Sequence, residues 1–250
     1  MPAVSVRATA AALTFLTRLP VGRALELDGH DVARGALLFP LVGAGVGAGA
    51  GAVGILLHPA LPALAAAAVA IGVALLLTGA MHLDALADTF DAVGGSTRER
   101  ALEIMRDPRV GTFGASAIVL DLLLKAAVIA ALLEAGTALP ALIAAGALSR
   151  AASPPLAFVL PYPRAGGGPG SVLTGRVSWF TALGVVALAV GAAVLAAGLT
   201  GLAMAAAVAG STVLLGLVYR RWLGGATGDC LGAVTELGET AALVFAAALI

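Results

Sequence analysis

Apolar residues in this chain come in blocks close to the roughly 20 residues a helix needs to cross a hydrocarbon core about 30 Å thick. Six blocks qualify, at 36–57, 60–80, 113–133, 139–159, 178–199 and 202–219. A seventh, 240–250, has only 11 residues, so it spans only if its helix begins near Asp229. The stretch Val4–Leu19 is interrupted by Arg7 and Arg18 and reads as an interfacial helix. Its Phe15-Leu16-Thr17-Arg18-Leu19-Pro20 end offers no small-residue cleavage site. The pattern predicts an all-α, polytopic integral membrane helix bundle with six full spans and a seventh, C-terminal helix. It forms one transmembrane domain over 1–250, with 1–35 as the interfacial helix and a cytoplasmic loop.

The charges sort along this frame. Arg7, Arg18, Arg23 and Arg34 precede the first span, and Arg98, Arg100, Arg106 and Arg109 lie between the second and third. Arg164 and Arg176 lie between the fourth and fifth, and Arg220 and Arg221 follow the sixth. The intervening connections at 58–59, 134–138 and 200–201 carry no Lys or Arg. Basic and non-basic loops therefore alternate, which places the N-terminus and every long loop in the cytoplasm. Most acidic residues share that side, so segments 81–112 and 220–239 form one chemically equipped cytoplasmic face.

Composition sharpens the solvent assignment. Only 11% of the 250 residues are charged and 60% are hydrophobic, against about 25% charged in a soluble domain. Aromatics at 4% and 33 glycines suit closely packed membrane helices better than a barrel with aromatic girdles. A formal net charge of zero gives nucleic-acid binding no support. The single Cys230 excludes an internal disulfide and a multi-cysteine metal site, and it reads as a small packing residue.

The strongest chemical signal is Met81-His82-Leu83-Asp84-Ala85-Leu86-Ala87-Asp88-Thr89-Phe90-Asp91. Its aspartates stand at i, i+4 and i+7, within roughly 60° of one another on a helix. Three carboxylates on one face repel unless neutralised, and hard oxygen ligands suit Mg²⁺ or Mn²⁺ bridging to phosphates. A second acidic set, Asp229, Glu236 and Glu239, follows the glycine-rich run Gly224-Gly225-Ala226-Thr227-Gly228. From spacing alone, ligand binding there competes evenly with a connector capped by Asp229. Arg106 and Arg109 are candidates for phosphate. Arg150, inside a span, binds either phosphate or a carboxylate. Asp121 and Lys125 at i, i+4 read as a mutual salt bridge. His82 sits at the helix–water boundary, and the loop 161–171 is a mobile linker or a cover for substrate. The match of 49–54 to G-x-G-x-x-G lies inside a span with no strand before it, so a dinucleotide site fails. Gly43, Gly47 and Gly51 mark a helix-packing face, used within the chain or, secondarily, between copies of it.

The segment Thr78-Gly79-Ala80-Met81-His82-Leu83-Asp84-Ala85-Leu86-Ala87-Asp88-Thr89-Phe90-Asp91-Ala92 resembles the hallmark of the adenosylcobinamide-GDP ribazoletransferase, or cobalamin (5′-phosphate) synthase, family. The likeness extends to 15–20, to Phe39-Pro40-Leu41-Val42-Gly43, to 98–114 with Met105-Arg106-Asp107-Pro108-Arg109, and to Gly228-Asp229-Cys230-Leu231-Gly232-Ala233 with Glu236. Ala85 and Ala92 stand where the family pattern has glycine, and Cys230 where it has a larger aliphatic residue. The resemblance implies a bacterial inner-membrane enzyme that joins adenosylcobinamide-GDP to α-ribazole or its 5′-phosphate, releases GMP, and uses Mg²⁺. Carried onto these residues, Asp84, Asp88, Asp91 and Asp229 hold metal. Asp84, Asp88, Asp229 and Glu236 are the catalytic carboxylates, with Asp229 or Glu236 able to take the hydroxyl proton. His82, Arg106, Arg109 and Arg150 meet phosphate or substrate. Two alternatives stand beside this. A CDP-alcohol phosphotransferase is disfavoured because Asp84-Ala85 replaces its Asp-Gly start. A cation or small-solute transporter is disfavoured because the acids gather at one face without an inverted repeat.

Overall fold

The structure, a computed structural model, describes residues 5–22, 25–164 and 169–250. Arg23, the residues before Ser5, and 165–168 of the glycine-rich loop lie outside them. Among the described residues there is no strand. The eleven α-helices begin with α1 (Val6–Leu16), α2 (Gly29–Gly35), α3 (Phe39–Leu57), α4 (Ala63–Thr78) and α5 (Met81–Asp91). They continue with α6 (Arg98–Ile104), α7 (Thr112–Glu134), α8 (Ala138–Arg150), α9 (Ser153–Val159), α10 (Trp179–Trp222) and α11 (Gly228–Ala247). Five stretches are long and apolar enough to cross a membrane, six if α4 and α5 count together, as expected of a multi-pass membrane protein.

The apolar blocks became helices in four different ways. Gly29–Leu57 and Thr112–Glu134 run as continuous helix. The stretch Ala138–Val159 is interrupted after Arg150 and restarts at Ser153, where Pro154 and Pro155 suit a first helical turn. It is the central element: 78% of its apolar window is buried, against 22% for α10. The 178–199 and 202–219 blocks are written as one 44-residue helix, but Gly198 at φ 59°, ψ −132° breaks it into arms 179–197 and 199–222. A Cβ on Gly201 would collide with the Ala193 carbonyl, so the arms double back on each other as a hairpin. The C-terminal helix begins at Gly228, beside Asp229, which gives it the length that 240–250 alone lacked. α1, with 11 residues, is too short to span.

Lipid supplies no hydrophobic drive between spans, so close backbone approach decides the packing. A Cβ on Gly43 would strike the Gly146 carbonyl, one on Gly47 the Leu142 carbonyl, and one on Gly51 would meet Leu139. The glycine face of α3 is therefore used against α8 inside one chain.

The sharpest feature is the junction between α4 and α5. Gly79 (φ 67°) and Ala80 (φ 56°) are successive left-handed residues, and the two helices meet at 91°. Left-handed backbone costs an L-residue such as alanine about 1–2 kcal/mol. Ala80 is held there by its N–H to the Leu75 carbonyl at 2.9 Å, and Arg18 N–H reaches the Leu77 carbonyl at 2.7 Å. The Arg18 side chain crosses Gly79 so closely that no Cβ fits. α5 therefore lies across the end of α4.

Candidate active site

α5 turns Leu83, Ala85, Leu86 and Ala87 inward and leaves Asp84 exposed and Asp88 half-buried. It packs on α11 at Gly232, where a Cβ would overlap the Cβ of Ala85. The alanine that departs from the family glycine thus fills the space left by a glycine opposite. The two acidic segments are brought side by side by this contact.

Between them opens a cavity of about 280 Å³, walled by Phe15, Phe39, His82, Asp84, Arg150, Ser153, Asp229 and Thr235 among others. Phe15 and Phe39 stack at 5.6 Å on one side. Ser153 Oγ lies 2.7 Å from Thr235 Oγ1 and donates to the Leu231 carbonyl at 3.1 Å on another. His82 is buried in the wall rather than at a water boundary. Asp229 is not the helix cap: Thr227 is, accepting from Cys230 N at 3.2 Å, and Asp229 stands in the first turn. Its Oδ2 faces Arg164 Nη2 at 3.3 Å.

Among the described residues Arg164 is the cation paired with this acidic set, at Asp229. Burial, followed by the charges of Asp84, Asp229 and Asp91, pushes Asp88 up to about 7, with only Arg164 acting the other way. Carboxylate oxygens are the hard ligand type that Mg²⁺ takes. Among the described residues no three candidate ligands converge tightly enough to hold an ion by themselves. Mg²⁺ is commonly held by one or two carboxylates plus substrate phosphates, and Asp84, Asp88 and Asp229 suit that mode.

Asp91 is held at the start of α7. Its Oδ2 accepts from Gly111 N at 2.6 Å and its Oδ1 from Gly114 N at 2.7 Å, so each oxygen takes a backbone donor from that helix start. Glu236 is buried and paired with Lys125, which sits 3.2 Å from Asp121 and 3.7 Å from Glu239. The Asp121–Lys125 bridge is present, but as part of this larger buried cluster. Arg109 is bound to Asp107 at 2.6 Å, which holds the exposed Asp107 carboxyl at about 2, and its charge is already matched. Arg106 is exposed and has no partner among the described residues.

Arg150 reconciles the two readings left open for it. Its Nη1 donates to Ser149 Oγ at 2.9 Å and to Glu239. The rest of the guanidinium has no partner among the described residues, and the residue lines the cavity. It is a carboxylate partner through Nη1 and keeps further donors without a described partner. Arg164 was missed as a site residue because its signal, a lone arginine after Pro161-Tyr162-Pro163, merged with the loop's glycines.

Membrane-spanning helices that bring carboxylates and arginines to one cavity at the end of the bundle define a multi-pass membrane protein suited to a phosphorylated substrate. The family model described as cobalamin-5-phosphate synthase matches residues 8–247, and the chain belongs to that family. It is 39% identical over 244 residues to an adenosylcobinamide-GDP ribazoletransferase of Syntrophobacter fumaroxidans, covering 95% of this chain and 97% of that one. It is 41% identical over 245 residues to the protein of that name from Escherichia coli K12, covering 96% and 98%. No solved structure matches.

Proposed function

We propose that this chain is an Mg²⁺-dependent adenosylcobinamide-GDP ribazoletransferase of a bacterial inner membrane, with its active face in the cytoplasm. The substrates are adenosylcobinamide-GDP and α-ribazole or α-ribazole 5′-phosphate. The reading is carried by the near-full-length likeness to proteins of that name, joined to a cavity that Asp84, Asp229 and Arg150 all line.

The reaction forms a bond from a ribose hydroxyl oxygen to the phosphorus carried by cobinamide. It breaks the diphosphate bond to that phosphorus, and GMP leaves. Phosphoryl-type transfer relies on positioning and charge neutralisation. Mg²⁺, when bound by Asp84, Asp88 or Asp229, supplies charge against the diphosphate. Arg150, anchored through Nη1 by Glu239, offers its free donors to a phosphate oxygen. Asp84 or Asp229, both on the cavity, accepts the hydroxyl proton. Phe15 and Phe39 give one wall an apolar surface.

The test is GMP release. Purified protein in detergent, given both substrates and Mg²⁺, releases GMP in step with product, and Asp84→Asn lowers the rate at least 100-fold. No GMP from the wild-type protein overturns the assignment. A reporter fused after Glu134 reads as external if the cytoplasmic face is placed correctly.

A further inference from the structure

The loop between α6 and α7 is fastened at both ends to the two acidic elements. At its start, the buried Met105 packs its sulfur 3.6 Å from Thr227 Oγ1, and Thr227 in turn contacts Asp229 Oδ2 at 3.3 Å. At its end, Gly111 and Gly114 give their N–H groups to the two oxygens of Asp91. Both glycines are required for that approach. A Cβ on Gly111 would come within 2.6 Å of Asp91 Oδ1, and one on Gly114 would overlap Asp91 Oδ2 and crowd the Ala87 carbonyl. Between the two fastenings lies Arg106, a guanidinium free of described partners, while Arg109 is neutralised by Asp107.

A carboxylate with both oxygens on backbone donors at a helix start gains charge-assisted bonds and a favourable dipole. Those donors belong to the start of α7, and Asp91 is not among the residues that wall the cavity, where Asp84 and Asp229 stand.

We propose that Asp91 is a positioning residue and not a metal ligand: it latches the start of α7 to the aspartate helix and so holds the Arg106 loop at the edge of the site. The proposal rests on the ribazoletransferase reading only for its kinetic readout. In Asp91→Asn, one acceptor remains and one bond is lost. The KM for adenosylcobinamide-GDP rises about tenfold with a smaller fall in kcat, and the Mg²⁺ concentration for half-maximal rate stays within about twofold of wild type. Gly114→Ala, which leaves every carboxylate in place, gives the same pattern. Arg106→Ala raises the same KM, and Asp91→Asn combined with it adds little, because residues acting through one contact are not additive. Hydrogen exchange of the peptide containing Gly111 and Gly114 quickens in Asp91→Asn. That readout needs no turnover, so it judges the latch even if the wild-type protein releases no GMP. A tenfold rise in Mg²⁺ requirement with unchanged exchange overturns the proposal, and so does additivity with Arg106→Ala.

Discussion

Arg150 at the end of α8 and Glu239 on α11 are bonded through Nη1 alone, so the pair ties two central helices together while leaving guanidinium donors free on the cavity. Removing either partner has different consequences. Arg150→Met takes away the anion donor and leaves Glu239 with a 3.7 Å contact to Lys125. Turnover falls at least 100-fold, the scale on which losing one charge-stabilising donor acts. Glu239→Gln keeps the donor but loosens its anchor, so turnover falls about tenfold with the KM for adenosylcobinamide-GDP raised. Steady-state GMP release on purified variants separates the two.

If Asp88 holds the Mg²⁺ of the proposed function, metal binding is pH-dependent. Its carboxyl is pushed up to about 7, so below that value it holds a proton that a cation must displace. Each unit of pH below about 7 therefore weakens binding by up to about tenfold, and the dependence flattens above it. Free Mn²⁺ counted by electron paramagnetic resonance at several pH values measures this without turnover. Asp88→Asn removes the slope.

The α3–α8 contact predicts a contrast among glycines of one helix. Gly43→Val and Gly47→Val push side chains into carbonyls of α8 and cost about 1–3 kcal/mol, the scale of overpacking. Gly45 has nothing within 4 Å, so Gly45→Ala gains up to about 1 kcal/mol of helix propensity. Thermal unfolding in detergent reads both signs.

Much of this architecture was legible because block length and small-residue spacing report directly on bilayer thickness and backbone approach. The blocks at 36–57 and 113–133, the start of the last helix near Asp229, and the inward use of Gly43, Gly47 and Gly51 follow from those two constraints. The right-angle turn at Gly79 and Ala80 did not follow, because it depends on Arg18 crossing Gly79 from the segment after α1. Gly79 at the end of an apolar run is nevertheless an ordinary helix-stop signal. At the site, spacing placed Asp84, Asp88 and Asp91 on one face correctly. It did not separate Asp84, which faces the cavity, from Asp91, which faces α7, because that depends on which neighbour each end of α5 meets. Glu236, seven residues after Asp229, shares its helical face but stands about 10 Å further along the axis, beside Lys125.

That distance leads to the last prediction. Lys125 meets Asp121, Glu236 and Glu239 in the bundle interior. Lys125→Met leaves these acids with Arg150 as the remaining neighbouring cation of the cluster, and breaking a buried network from one side costs about 3–5 kcal/mol. Glu236→Gln in the same chain removes one of the stranded charges and should return part of that stability. The pair is thus coupled, by an amount a double-mutant cycle measures as about 1–3 kcal/mol. Glu236→Gln alone tests the chemistry. If Glu236 were the proton acceptor, turnover would collapse and its pH profile would lose a limb. As a partner of Lys125 it changes thermal stability instead, and GMP release per folded molecule stays within about threefold of wild type with the pH profile unmoved.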